Sequence, residues 1–219
     1  MSAPRINVSD VITYEFCPRQ FYFQRVLKII PPRLMALFNV GTREHEHYET
    51  CNDKEHAQKP EAEEGKPYVM LFQEVPLIDA KNNISGRIDT LYVQGTSFLS
   101  DEDQRRVLII DKKRKMNEIY FLQVFGYAHL LDTSDKFGFL RPFETFGQIV
   151  HNSGASGEIP ITDAKKSEFL NRAMVLREHF TRMLEGEMPK TKKCEKCINC
   201  HFKSKCFGGL NAFSQSNNR

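Results

Sequence analysis

No run of about 18 apolar residues occurs anywhere in the chain, so no segment is long enough for a membrane-spanning helix. The N-terminus lacks a basic-then-apolar leader, and Asp10 and Glu15 interrupt any candidate, so the expected location is intracellular and cytoplasmic. Internal repeats are missing as well, which sets repeat architectures aside. Net charge is small, only +3, too little to name a partner by itself. What the chain does have is 40% hydrophobic residues over 219 positions. That is enough for a normal core in one domain, or in one domain with an appendage.

Charge and cysteine are both unevenly spread. Lys112, Lys113, Arg114 and Lys115 form one basic cluster. Lys190, Lys192, Lys193, Lys196, Lys203 and Lys205 form another, whereas Glu44 to Glu64 is acidic. Such segregation fits one nucleic-acid-facing side, and equally an ordinary solvated surface. Four of the six cysteines crowd together as Cys194-x-x-Cys197-x-x-Cys200-x-x-x-x-x-Cys206. In an intracellular protein, soft sulfur donors at these spacings select zinc or iron–sulfur. Spacing alone favours a local zinc site using all four. Cys17, alone in an amphipathic helix, and Cys51 read as packed cysteines.

A helix is expected from about Asp10 to Lys28, capped by Ser9 and kinked or restarted at Pro18. A second runs from Leu34 to near Glu55, and Lys54 to Pro67 is a charged loop. Tyr68 to Ile78 reads as a strand, and Ile84 to Val93 as another, rich in β-branched and aromatic residues. Gly95 to Arg105 holds turn formers, and Val107 to Asp111 is a short apolar run ending in charge. Asn117 to Leu131 is a helix with Asn117 as cap. Phe137 to Val150 suggests one or two strands, and His151 to Gly157 a loop. A helix from Asp163 to Glu185 buries Phe169, Ala173, Leu176, Phe180 and Leu184.

A hairpin folded about Ser100 sets Asp89 opposite Asp111, with Cβ atoms about 4.5–5.5 Å apart. Strand alternation puts Asp111 and Lys113 on one side, so two acids and a lysine converge. They read either as exposed charged strand ends or as ligands for Mg²⁺ or Mn²⁺, which take carboxylate oxygens and leave room for water and phosphate. A cation and a lysine there suit phosphodiester hydrolysis. Gln123 and Tyr127, four residues apart, share one helical face.

Taken in order, Gly41-x-x-x-His45, Gly86-x-x-Asp89, Asp111-x-Lys113 and Gln123-x-x-x-Tyr127 resemble the PD-(D/E)XK nuclease core in its RecB-like form. Cys17, in its Cys17-Pro18-Arg19-x-Phe21-Tyr22 setting, completes a resemblance with the triad Cys197, Cys200 and Cys206. The whole is similar to the CRISPR-associated RecB-like iron–sulfur exonucleases, from Ser9 to Cys206. Two departures are visible. Asp111 stands where the family often has glutamate, and Cys194 is extra.

The resemblance implies an α/β, restriction-endonuclease-like fold: a mixed central sheet flanked by helices, with an iron–sulfur subdomain built from both termini. It divides the chain into an N-terminal helix over 1–32, a nuclease core over 33–187, a cysteine subdomain over 188–207 and a disordered tail over 208–219. His45, Asp89, Asp111 and the Lys112 carbonyl would hold Mg²⁺ or Mn²⁺, Lys113 would orient water, and Gln123 and Tyr127 would position strand or lysine. Cys17, Cys197, Cys200 and Cys206 would hold an iron–sulfur cluster, a four-iron form ahead of a two-iron one. The implied activity is exonuclease action on single-stranded DNA or DNA ends, 5′ to 3′, with endonuclease action conceivable, in the trimming of prespacers beside CRISPR integrase proteins. No helicase motor is present, so unwinding would need a partner. Other classes remain open: a non-catalytic DNA-binding adaptor, a viral or phage recombination nuclease of the same fold, or a zinc-ribbon interaction protein.

Overall fold

The computed structural model describes residues 3–31, 68–95, 105–141, 143–190 and 194–207, with Tyr68 described by its backbone alone. In chain order the elements are β1 (Ile6–Asn7), α1 (Val8–Phe16), α2 (Pro18–Phe21), a π-helical turn (Tyr22–Val26), β2 (Tyr68–Asp79), β3 (Ile84–Gly95) and β4 (Arg106–Lys113). After these come α3 (Ile119–Thr133), β5 (Glu144–His151), β6 (Gly154–Ala155), β7 (Ile159–Pro160), α4 (Asp163–Leu184) and α5 (Lys203–Phe207). The helix expected over 34–55, with His45 in it, and the tail over 208–219 lie outside the described residues. Among the described residues, no helix is long and apolar enough to cross a membrane.

β-Branched and aromatic residues concentrate in β2, β3 and β4, and these pair antiparallel in succession. The turn between β2 and β3 is built by Asp79, whose Oδ1 accepts the Asn82 N–H at 2.9 Å. Asn83 takes the left-handed conformation there (φ 47°), which asparagine tolerates well. β5 lies parallel to β4, and the connection between them carries α3, as a parallel pair requires. β1 adds parallel to β3, and β6 and β7 add antiparallel to β5, giving a seven-stranded mixed sheet among the described residues.

Helix α3 is apolar on nearly every side; Leu122 to Ala128 are all buried. It lies against the sheet, with α1 and Phe169 of α4 packed on its other sides. Glycine allows the approach to the sheet and to Phe169. A Cβ on Gly147 of β5 would come within 2.4 Å of Val124, and one on Gly126 of α3 within 2.6 Å of the Phe169 ring.

The N-terminal helix is broken, not kinked. Cys17 is extended (φ −164°, ψ 112°), because the ring of a following proline clashes with a helical residue before it. Pro18 then restarts the helix at its first position, where its missing N–H costs nothing. Helix α1 starts at Val8, ahead of the expected cap Ser9, and Asp10 Oδ2 accepts the Asn7 N–H at 2.9 Å. At the other end, Asn117 Oδ1 accepts the Ile119 N–H at 3.1 Å, so it does cap α3. Along α4, Phe169, Ala173, Leu176 and Phe180 are buried as expected, but Leu184 is 56% exposed and Met183 is buried instead.

The chain divides into two compact units. One is Met1–Phe16 with Ala57–Thr181, and the other is Cys17–His56 with Arg182–Arg219.

Candidate active site and sulfur centre

The β3–β4 register pairs Val93 with Val107, Leu91 with Ile109 and Thr90 with Ile110, which leaves Asp89 opposite Asp111 one step further on. This is the register expected from the sequence. Backbone pairing stops at Thr90 and Ile110, and a side chain takes over. The Lys112 N–H donates to Asp89 Oδ2 at 2.8 Å.

A second irregularity places Asp89. Along β2, Phe72 faces inward, against Phe137, while Val69 faces a hollow on the outer side of the sheet together with Tyr92, Gln94, Arg106, Leu108 and Ile110. Regular alternation would keep even-numbered β2 residues inside. Beyond Glu74 the inner residues are instead Val75, Leu77 and Asp79, the last bonded to His129 of α3. β3 reverses at the same level. Gly86 and Ile88 face inward on one side of Asp89, and Leu91 and Val93 on the other. Glu74 is the pivot: it is left-handed (φ 49°), and the constant register places it opposite Asp89. A left-handed glutamate inside a strand is strained. No sequence signal announces it, and Glu74 was not among the expected site residues.

Asp111 is fully buried, in line with Val107 and Ile109 on the inner face. Lys113 Nζ lies 3.1 Å from its Oδ1 and 2.8 Å from its Oδ2. The ammonium of Lys113 thus spans both oxygens of the buried carboxylate. From α3, Gln123 Nε2 donates to Asp111 Oδ1 at 3.3 Å and to the Tyr127 hydroxyl at 2.6 Å. Gln123 and Tyr127 are both buried, and Lys113 Nζ sits 5.3 Å from the centroid of the Tyr120 ring.

Burial pushes the Asp111 carboxyl up to about 7; Lys113 opposes the rise and the neighbouring Asp89 carboxylate adds to it. Tyr127 is raised well above the ordinary phenol range, first by burial and then by the charge of Asp111, with Asp89 and Glu74 contributing. Glu74 pairs with Arg87, whose Nε is 2.8 Å from Glu74 Oε2. The site therefore sets two carboxylates, Asp89 and the buried Asp111, side by side, with Lys113 as the cation against Asp111. That is an environment a divalent cation would relieve.

Of the expected cation ligands, Asp89 and Asp111 are brought together, the contact from Lys112 is made by its N–H to Asp89, and His45 lies outside the described residues. Among the described residues, no group of three or more His, Cys, Asp or Glu side chains is arranged to hold a metal ion.

Cys194 Sγ and Cys197 Sγ are 3.8 Å apart. Burial raises the Cys206 thiol pKa, Arg19 opposes this, and Cys17 and then Cys200 raise it further. Arg19, two residues past Cys17, donates to the Cys206 carbonyl, so this part of the chain meets the C-terminal cysteines although it precedes them by most of the chain. All five are thiols of a type suited to zinc or iron–sulfur, and Cys17, Cys197, Cys200 and Cys206 are each partly buried.

No protein-family model matches this chain, and no curated protein matches its sequence. A solved structure described as "Crystal structure of SSO0001" is similar to it with a TM-score of 0.46 and 16% identity, covering 96% of this chain and 89% of that one.

Proposed function

We propose that this chain is a metal-dependent deoxyribonuclease with a PD-(D/E)XK-type core. The observation that carries the reading is the meeting of the Asp89 and Asp111 carboxylates at the ends of paired strands, with Lys113 against the buried Asp111. Asp89 and Asp111 would hold Mg²⁺ or Mn²⁺, with His45 and the Lys112 carbonyl completing the set. A cation bound there supplies a more acidic water and offsets charge developing on phosphate. Lys113 supplies a second positive group beside the same carboxylate, where it can hold a water or a phosphate oxygen. Gln123 fixes Asp111 from the helix side, and Tyr127 fixes Gln123. The exposed Lys112, Arg114 and Lys115 next to the site suit a phosphate backbone.

The resemblance extends this reading to single-stranded DNA and DNA ends, cut from the 5′ side, and to prespacer processing next to CRISPR integrase proteins. In the same reading Cys17, Cys197, Cys200 and Cys206 hold an iron–sulfur cluster, and the extra Cys194 is a spectator.

The test is degradation of end-labelled single-stranded DNA by purified protein in Mn²⁺, in Mg²⁺ and in chelator. Wild type should cut only with a divalent cation. Asp89→Ala and Lys113→Ala should each lower the rate by at least about a hundredfold, the scale on which a lost charge-stabilising group is felt. Wild-type rates in either variant, with unchanged circular dichroism, would remove the site assignment.

A further inference from the structure

The unit that contains the described cysteines is built from two chain segments, Cys17–His56 and Arg182–Arg219. Contacts among the described residues join them. Arg19, in the first turn of α2, donates from Nε to the Pro189 carbonyl at 3.1 Å and from Nη1 to the Cys206 carbonyl at 2.9 Å. Phe23 stacks on Phe202, with centroids 5.3 Å apart and planes 15° from parallel, and both rings are buried.

These contacts are tied closely to the sulfur atoms. The Cys17 carbonyl accepts the Phe21 N–H at 3.2 Å, so Cys17 is anchored to the helix that carries Arg19. On the other segment, the Cys206 N–H donates to the Phe202 carbonyl at 2.9 Å, and the Phe202 N–H points to Cys200 Sγ at 3.4 Å. A guanidinium suits this position, because it is always charged and its rigid fork can serve two carbonyls at once. Lysine, a single point charge on a flexible stem, can hold only one of them well.

We infer that Arg19 is a positioning residue for the sulfur centre: its bridge to the Pro189 and Cys206 carbonyls seats the Cys206 thiol beside the Cys17 thiol, ahead of any metal or cluster. The inference rests on the reading that these cysteines hold an inorganic centre, and it is independent of the nuclease reading. Cys194 and Cys197, only three residues apart, form a pair that does not need Arg19.

That difference supplies an internal reference. Full-length protein, purified without oxygen in chelator, is treated with diamide and digested, and its disulfides are quantified by mass spectrometry. Diamide takes two protons and two electrons from a pair of thiols as the S–S bond forms, and is itself reduced to the hydrazine. Wild type should couple Cys17 chiefly to Cys206, alongside a Cys194–Cys197 product. In Arg19→Gln the ratio of the first product to the second should fall by at least about tenfold, since a hydrogen bond to a charged group is worth that much in an equilibrium. Arg19→Lys should fall between the two. A second measurement, iron and zinc content of protein purified without chelator, should show a clear loss in Arg19→Gln.

Wild-type coupling in Arg19→Gln overturns the inference, and so does full metal loading of that variant. A wild type that couples Cys17 to Cys194 overturns it as well. Wild-type protein that carries neither iron nor zinc sinks the inorganic-centre reading and, with it, the role given to Arg19. Loss of DNA cleavage plays no part in any of these outcomes.

Discussion

Gln123 on α3 donates a hydrogen bond to Asp111 on β4, so the central helix fixes the orientation of the carboxylate that the sheet buries. A buried carboxylate held by one amide and one lysine is costly to ionise, and its raised pKa of about 7 expresses that cost. The sign of the linkage is definite. A carboxyl raised from 3.8 contributes stability that is complete below its unfolded value and is lost as pH climbs through about 7. In protein free of divalent ions, Asp111→Asn should therefore be more stable than wild type at pH 8, by roughly 1–3 kcal/mol, with the gap closing steadily as pH falls from about 7 toward 4. Adding Mn²⁺ at pH 8 should raise the wild-type midpoint and leave the variant unmoved. Equal midpoints across this range would mean that the carboxylate is not held at a cost.

Asp79 should show the opposite sign. Burial disfavours its charge, but the Asn82 backbone and side-chain N–H groups and His129 outweigh this and hold its pKa below the usual range. Its stabilising effect is present above about pH 4 and fades as pH falls through the depressed value. Asp79→Asn should cost about 1 kcal/mol at neutral pH, with the difference from wild type shrinking in acid. Thermal melts across the acid range measure it, and a constant difference would contradict the assignment.

Packing around α3 gives a steric prediction. Gly126→Ala and Gly147→Ala place a Cβ within 2.6 Å of Phe169 and 2.4 Å of Val124, closer than real side chains approach. Each should destabilise by roughly 1–3 kcal/mol, as overpacked cores do. Gly157→Ala, with open space around it, should have little effect through crowding. Urea unfolding of the three variants checks the ranking.

The two readings of the cysteines differ in their spectator. The iron–sulfur reading uses Cys17 and leaves out Cys194; a local zinc site does the reverse. Cys17→Ser should bleach the protein and lower its melting temperature, because a link from Cys17 closes a long loop. Cys194→Ser should do neither. Visible absorption and metal analysis decide it. A colourless wild type that loses zinc in Cys194→Ser and keeps it in Cys17→Ser would leave the local site standing.

Much of the local structure was legible in the chain itself. The β-branched runs gave β2, β3 and β4 within a few residues, Asn117 marked the start of α3, and the register expected of the two strands, Asp89 opposite Asp111, is the one observed. The four-residue spacing of Gln123 and Tyr127 foretold one helical face, because 3.6 residues per turn is a property of the backbone alone. Pro18 likewise determined the break at Cys17. These are local matters, governed by the dihedral preferences of neighbouring residues.

Three things depended on the tertiary structure. Glu74 takes a left-handed conformation that no glutamate prefers, and with it both strands reverse their inner and outer faces beside Asp89. Asp111 is buried beneath Gln123 and Tyr127, and that burial sets its charge state. Arg19 reaches two carbonyls 170 and 187 positions further along the chain. None of these follows from periodicity or composition. A strained dihedral, a desolvated charge and a long-range bridge persist only where distant segments pack against them and supply the energy to hold them.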